Sequence, residues 1–492
     1  MINSTPTLPV EDKATPLNRA RRKAYWRLLP ILFLAYVIAF IDRANVAFAA
    51  LTMTEDLPGF DNAVIGFGAG VFFIGYFLLE IPGSLIVERW GARLWIARIM
   101  ITWGFMAALT AFIGHHLGIS TWFVGLYNSL FNAKLGVTEF QFYAVRFLLG
   151  LAEAGFFPGV VVFLTHWFPS RDRARALALF FVATPVAQVI GPLLSAQIVK
   201  IGSVEKVGGV VVKTHPELWG LEGWQWVYIV WGLPAVLLGV AVFFMLPDKP
   251  KDARWLSAEE RAALEAELAR EKAKTKTHMT LWQGLRHPKV LALSFAYFCT
   301  VTGSYGIVFF MPKILKDWYP LSFSQLGWLS TLPAVTALVG QLVVGWSSDR
   351  MKERRWHTIV PIVIGAIAIG LAPLTRGNLP LTITCFMLAL CGVKAYLPAF
   401  WTMPSLFLTS AAAAASIGMI NSVGNLGGQL GPWVIGKVQT VTGSFAGGLY
   451  FLACSMMLCA TIVFFLGLGG KEKPAGGQPQ GTPGENPAPA KA

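Results

Sequence analysis

Apolar residues along this chain gather into long runs separated by short polar stretches. The runs are about 18 to 26 residues long, the length that carries a helix rising 1.5 Å per residue across roughly 30 Å of hydrocarbon. The pattern predicts membrane-spanning helices at 28–50, 63–86, 94–114, 141–166, 175–199 and 226–246. Six more follow a polar gap, at 290–312, 325–346, 358–375, 380–402, 411–436 and 445–468. The expected fold is therefore all-α, with 12 transmembrane helices divided six and six by the polar gap.

Polar punctuation sets the domain plan. Residues 1–27 are expected as a polar tail rather than a cleavable leader, 28–246 as the first bundle and 290–468 as the second. Between the bundles, 247–289 is a charged linker with ten Lys and Arg against seven Asp and Glu. Within it, Ser257 and Glu260 form a capping box that opens a helix reaching about Lys274, with Leu256, Leu264 and Leu268 on one stripe. Residues 469–492, rich in Pro, Gly, Gln and Ala, are expected to be a disordered tail. The loop 115–140, with Trp122, Phe123, Tyr127 and Phe131, reads as an interfacial hairpin.

Composition supports the membrane reading, since 55% of the 492 residues are hydrophobic and only 13% charged. A soluble domain carries about 25% charged residues. The net charge of +14 does not point to nucleic acid, because it is spread over short loops; lipid head groups are the expected contact. Placing the amino terminus inside puts about 28 Lys and Arg on inner segments and about 8 outside. By the positive-inside rule both termini are expected to be cytoplasmic, in a multi-pass protein expected in the plasma (inner) membrane. Cys299, Cys385, Cys391, Cys454 and Cys459 fall within spans as packing residues. No Cys/His spacing suggests a metal or cofactor, and no nucleophile-base set suggests an enzyme.

The charges inside the spans carry the candidate chemistry, since a buried ionisable side chain is costly and marks a functional site by default. Asp42, Arg43, Arg146, Glu153 and Lys394 qualify. Counted from the outer helix ends, Arg43 and Arg146 should lie roughly 8 to 12 Å deep, with Glu153 and Lys394 about 18 to 21 Å deep. Arg146 and Glu153 are seven apart and share a helix face. That face offers an anion-binding fork beside a proton acceptor. Lys394 has no acid within a turn and is expected to meet a second anionic group; a purely structural role is the alternative. Tyr76, Tyr305, Asn421 and Asn425 are candidate hydrogen-bonding partners of substrate. Glu80 sits near the inner end of its helix and is expected to anchor the inner gate.

Two loops repeat one pattern. Glu88-Arg89 beside Gly91 follows the second span, and Asp349-Arg350 after Gly345 follows the eighth. The pairs can latch the halves together on the inner side, and they resemble the loop signature of the major facilitator superfamily, which implies two pseudo-symmetric six-helix bundles. Arg146-Phe-Leu-Leu-Gly-Leu-Ala-Glu153-Ala-Gly-Phe-Phe-Pro158, Asp42-Arg43-Ala-Asn45, Tyr305 to Pro312 and Asn421-Ser-Val-Gly-Asn425 are similar to the anion:cation symporter family within it. That resemblance implies a secondary transporter taking up a small organic anion, such as tartrate, a sugar acid or an aromatic carboxylate, with a proton. It implies proton coupling at Asp42 and Glu153 and alternating access by one chain acting as a monomer. Exchange or efflux on the same fold is the alternative.

Overall fold

The computed structural model describes residues 15–470 apart from 116–117, 133, 208–209, 214, 275–285 and 409. Some side chains within helices, Glu88 among them, also fall outside the description, as do residues 471–492 of the tail expected at 469–492. Eleven of the described helical stretches are long and apolar enough to cross a membrane.

In the first half, α1 (Pro16–Ala44) and α2 (Val46–Asp56) form the first span, and α3 (Asn62–Trp90) and α4 (Ala92–Leu109) the next two. After the loop helix α5 (Gly118–Phe131), the fourth span is α6 (Val137–Glu153) and α7 (Phe156–Trp167). The fifth is α8 (Ser170–Phe181) with α9 (Ala183–Ile198), and the sixth is α10 (Gly223–Met245). The linker holds α11 (Ala258–Lys274). In the second half come α12 (Pro288–Trp318), α13 (Phe323–Met351), α14 (Arg355–Leu371) and α15 (Leu379–Ala395) with the single turn α16 (Leu397–Phe400). The last two spans are α17 (Ser410–Asn425) with α18 (Gly427–Thr442), and α19 (Ala446–Leu466). The face bearing α11 is here termed the linker face and the opposite one the distal face.

Four expectations are corrected. Helix α1 starts at Pro16, with Thr15 accepting from the Asn18 amide, so residues 16–27 are helix rather than tail. The first span continues past residue 50 to Asp56. The span expected at 411–436 is two helices broken at Leu426, and neither piece alone reaches membrane-crossing length. In place of an interfacial hairpin, the 115–140 loop forms α5, with Ile119, Trp122, Phe123 and Leu126 exposed. A short antiparallel hairpin, β1 (Val204–Val207) and β2 (Val210–Lys213), holds the only strands among the described residues, beside an isolated bridge between Leu218 and Leu221.

The linker helix belongs to the first half. The Ser257–Glu260 capping box is present, with the Ser257 amide donating to Glu260 at 2.9 Å. Lys23 of α1 donates to Glu260 at 2.8 Å, while Leu256 and Leu264 are buried. Trp255 stacks on Trp167 with ring centroids 5.3 Å apart.

The two halves close on each other at the distal face. There the Asn62 amide donates to Gln439 at 2.6 Å, Lys313 to Thr54 at 3.0 Å and Lys200 to Ser324 at 2.6 Å. Glycine makes this approach possible. A Cβ on Gly66 would stand 2.3 Å from the Pro432 carbonyl oxygen, and one on Gly436 only 2.0 Å from that of Asn62. Backbones this close need small residues at the crossing.

Candidate functional site

Of the intramembrane charges expected from the sequence, Arg43, Glu153 and Lys394 each lie beside a break in their helix, whereas Arg146 sits in the middle of α6. Arg43 precedes the turn at Asn45, and Glu153 is the last residue of α6 before Gly155 in the left-handed region at φ 85°. Lys394 precedes the turn at Tyr396, and Asn425 precedes Leu426. Interrupted helices leave backbone carbonyls without intrahelical partners, and such breaks are tolerated at membrane depth where they line a cavity or are packed in protein. Arg43 and Lys394 each occupy the last turn of their helices, where the negative end of the helix dipole favours a cation. Gly155 also lets α7 meet α3, because a Cβ there would stand 3.2 Å from the Gly83 Cα.

The centre of the site is an ion pair between Arg43 and Glu153, in which Arg43 Nη2 donates to the carboxylate. Arg43 Nη1 donates to the Tyr305 hydroxyl at 3.3 Å, reaching from the first half to the second. Its guanidinium carbon lies 5.2 Å from the centroids of the Phe40 and Tyr76 rings and 5.3 Å from that of Phe72. An aromatic cage of this kind holds a cation by its ring faces while leaving its N–H edge for hydrogen bonds.

The adjacent Asp42 points elsewhere. It accepts from Trp103 Nε1 at 2.7 Å and from the Asn45 amide at 3.3 Å, and is 1% exposed inside the first bundle. Consecutive helix residues diverge by about 100°, so one carboxylate faces the bundle interior and the neighbouring cation the space between halves.

Two expectations about the cations change. Arg146 does not pair with Glu153 although both lie on α6. It is fully buried against the first bundle, with Nε donating to the Gly68 carbonyl at 3.4 Å and its guanidinium 5.4 Å from the Phe72 centroid. Its two Nη atoms have no hydrogen-bond partner among the described residues. The expected depth ladder also fails. Because the first span runs to Asp56, Arg43 lies about 20 Å from its distal end at 1.5 Å per residue, which is deep enough to meet Glu153.

The second half supplies Tyr305, Lys394, Asn421 and Asn425. Lys394 is partly buried, lies within electrostatic reach of Arg43, and has no hydrogen-bond or ion-pair partner among the described residues. Asn421 is already engaged, since its amide donates to Glu80 at 2.7 Å across the two halves. Glu80 therefore sits in the inter-bundle contact, with Ser422 and Asn425 beside it. Tyr76 contributes its ring to the cage around Arg43. Trp103 and Phe72 went unnoticed in the sequence, because each looks like any other large apolar residue of a span.

Among the described residues, Arg89, Asp349 and Arg350 form no ion pair between the halves. Asp349 pairs with Arg354 of its own half at 2.6 Å, Arg350 rests 5.3 Å from the Trp346 centroid, and Arg89 is exposed. The Glu88 side chain lies outside the described residues.

The family model described as Major Facilitator Superfamily matches residues 32–432 and 293–490. A protein of Agrobacterium vitis bearing the provisional name tartrate transporter is 41% identical over 451 residues, covering 91% of this chain and 95% of its own. A quinolone resistance transporter of Acinetobacter baumannii is 36% identical, covering 90% and 94%. The inner membrane transport protein RhmT of Escherichia coli is 34% identical, covering 92% and 96%. Among solved structures, a bacterial homolog of the human lysosomal transporter Spinster, inward-facing and unoccupied, aligns with a TM-score of 0.68 at 17% identity over 91% of this chain and 96% of its own. The xylose transporter XylE from Escherichia coli aligns at 0.67 with 13% identity, over 92% and 100%.

Proposed function

Because this chain belongs to the Major Facilitator Superfamily and is a multi-pass membrane transporter, we propose that it carries a small organic anion together with a proton, by alternating access. The linker face is then cytoplasmic, as the distribution of Lys and Arg over the loops suggests, and the membrane is the inner one, in line with the name of the RhmT relative. Uptake is the direction proposed.

The observation that carries this reading is the Arg43–Glu153 ion pair, set where Arg43 also touches Tyr305 of the other half. A guanidinium offers planar, paired donors that suit a carboxylate. While Glu153 is ionised, it occupies those donors itself. Protonation of Glu153 removes the competing charge and frees Arg43 for the substrate carboxylate. Release of substrate on the linker face lets Arg43 return to Glu153 as the proton leaves. The empty carrier is thereby neutralised internally, which lowers the cost of passing a charged site through the membrane interior. Arg43 thus replaces Arg146 as the cation that Glu153 controls.

Asp42 is the second carboxylate of the scheme. Its bonds to Trp103 and Asn45 tie its charge state to α4 and to the turn that follows Arg43. Lys394, on the opposite half, adds a second cation facing Arg43, and a substrate bound to both would draw the halves together.

The test is counterflow measured beside pH-driven uptake in the same proteoliposomes, using a radiolabelled organic anion that the wild type accumulates. Glu153→Gln imitates the protonated form. It is expected to keep counterflow and to lose accumulation driven by an imposed pH gradient. About 1.4 kcal/mol of gradient corresponds to a tenfold accumulation, so the loss is measurable. Full proton-driven accumulation by Glu153→Gln would end this reading.

A further inference from the structure

One helical turn to the distal side of the Arg43 layer, a cavity of about 50 Å³ lies between the two halves, opening into a wider space of about 590 Å³ that includes its mouth. Its walls are apolar, formed by Phe40, Ile41, Ile307, Met311, Leu390 and Ala334 among others. The cavity belongs to the same site by helix register. Phe40 and Ala47 flank Arg43 at i−3 and i+4, Val308 follows Tyr305 by three, and Leu390 precedes Lys394 by four. Arg43, Tyr305 and Lys394 therefore each have a wall residue on the same face of their own helix.

Few polar groups enter this space. Of those that do, Ser195 already accepts from Trp231 Nε1 at 3.0 Å. Ser330 Oγ and Asn45 Oδ1 are buried without a partner among the described residues, and Gln188 also lines the wall. A polyhydroxy acid placed here would bring a hydroxyl on nearly every carbon into a wall able to satisfy only a few. Each unsatisfied hydroxyl carries a desolvation penalty. A ring or other apolar body would instead exchange water for Phe40, Ile307 and Met311, and the two orphaned oxygen groups would suit one ring heteroatom or substituent.

The geometry points to a carboxylate with an apolar, ring-sized body as the preferred substrate class, its carboxylate on Arg43 and its ring in the distal cavity. This inference rests on the anion-carrier reading and adds a selectivity to it. Aromatic carboxylates are bound in preference to polyhydroxy acids of equal charge. Ring substituents that are apolar are tolerated, and the discrimination resides in α9 and α13 walls rather than in the ion-pair layer.

The experiment measures binding to the purified full-length protein by intrinsic tryptophan fluorescence. Matched probes are used: benzoate and nicotinate against gluconate, and phthalate against tartrate. The aromatic member of each pair is expected to bind at least tenfold more tightly. Ala334→Phe fills the cavity from α13 and is expected to remove that preference by weakening the aromatic acids at least tenfold. A second variant, Ala187→Leu on α9, does the same from the other wall, so that misfolding of one does not decide the matter. If the polyhydroxy acids bind as tightly as their aromatic partners, the selectivity is overturned and the carrier reading stands. An aromatic preference that survives unchanged in both filled variants overturns the placement of the ring. If neither series binds and Arg43→Ala changes nothing, the anion-carrier reading itself falls and this inference falls with it.

Discussion

The Asn421 amide donates to the Glu80 carboxylate at 2.7 Å, joining α17 of one half to α3 of the other. Glu80 is 6% exposed, and its second oxygen has no partner among the described residues. Removing one partner from a buried hydrogen bond leaves the other to carry its full desolvation cost, about 1–3 kcal/mol and more for a charged group. Asn421→Ala is therefore expected to lower the melting temperature of the detergent-solubilised protein. Glu80→Gln, which keeps an acceptor for Asn421, should lower it less. Equal and negligible shifts would show that the contact contributes nothing to the folded arrangement.

Arg43 and Arg146 should separate by phenotype. Arg43 touches the second half and the shared space, whereas Arg146 is enclosed by its own bundle. Arg43→Ala should abolish substrate binding. It also strands Glu153, and breaking a buried pair costs about 3–5 kcal/mol. The double variant Arg43→Ala with Glu153→Gln should accordingly recover stability without recovering binding. Arg146→Met, similar in length, should retain substrate affinity and impair turnover or folding instead. Binding titrations alongside thermal melts of the same preparations give both readouts.

Lys394 has no hydrogen-bond or ion-pair partner among the described residues and lies within electrostatic reach of Arg43. A dicarboxylate able to bridge the two should lose more from Lys394→Ala than a monocarboxylate does. We expect a rise in KM of about tenfold or more for the first, equivalent to about 1.4 kcal/mol, and a smaller rise for the second. An equal effect on both substrates would leave Lys394 a structural role only.

Distal closure depends on Gly66 and Gly436, where an added Cβ would fall 2.3 Å and 2.0 Å from backbone oxygens of the opposing helix. These neighbours are backbone and cannot swing aside. Gly66→Val or Gly436→Val should hold the distal face apart and shift the carrier toward the distal-open state. A cysteine placed at Ala47, in the cavity wall, should then react faster with a membrane-impermeant thiol reagent applied from the distal side. Unchanged labelling would mean that closure does not run through this crossing.

Docking of α11 on α1 should weaken in acid. Lys23 and the Ser257 amide hydrogen-bond to Glu260 and hold its carboxyl below the usual carboxylate range. A depressed folded value contributes stability that is present above the unfolded value and is lost as pH falls through the folded one. Protection of α11 amides against hydrogen exchange should fall below about pH 4.5 in the wild type. Glu260→Gln should show weaker protection at neutral pH and little change on acidification.

Much of this protein was legible from its sequence. Run lengths alone set the number of spans, because crossing hydrocarbon demands a fixed length of apolar helix. The linker helix was readable too, since the Ser257–Glu260 box and the Leu256–Leu264–Leu268 stripe are local signals with a 3.6-residue period. The ionisable candidates Asp42, Arg43, Arg146, Glu153 and Lys394 stood out because charge within a span is rare and costly. What the sequence could not decide was which of them meet. Asp42 and Arg43 are neighbours in the chain yet face different compartments, while Glu153 bonds an arginine 110 positions away rather than the one seven residues before it. Pairing depends on how helices cross and rotate about their axes. That is set by packing between distant segments, such as the glycine crossings of α3 with α18. The length of the first span decided it as well, since its extension to Asp56 lowered Arg43 to the level of Glu153. Local pattern therefore determined the inventory of spans and charges, and only the tertiary structure assigned each charge its partner, because partners are chosen across helices whose relative depth and rotation no single segment encodes.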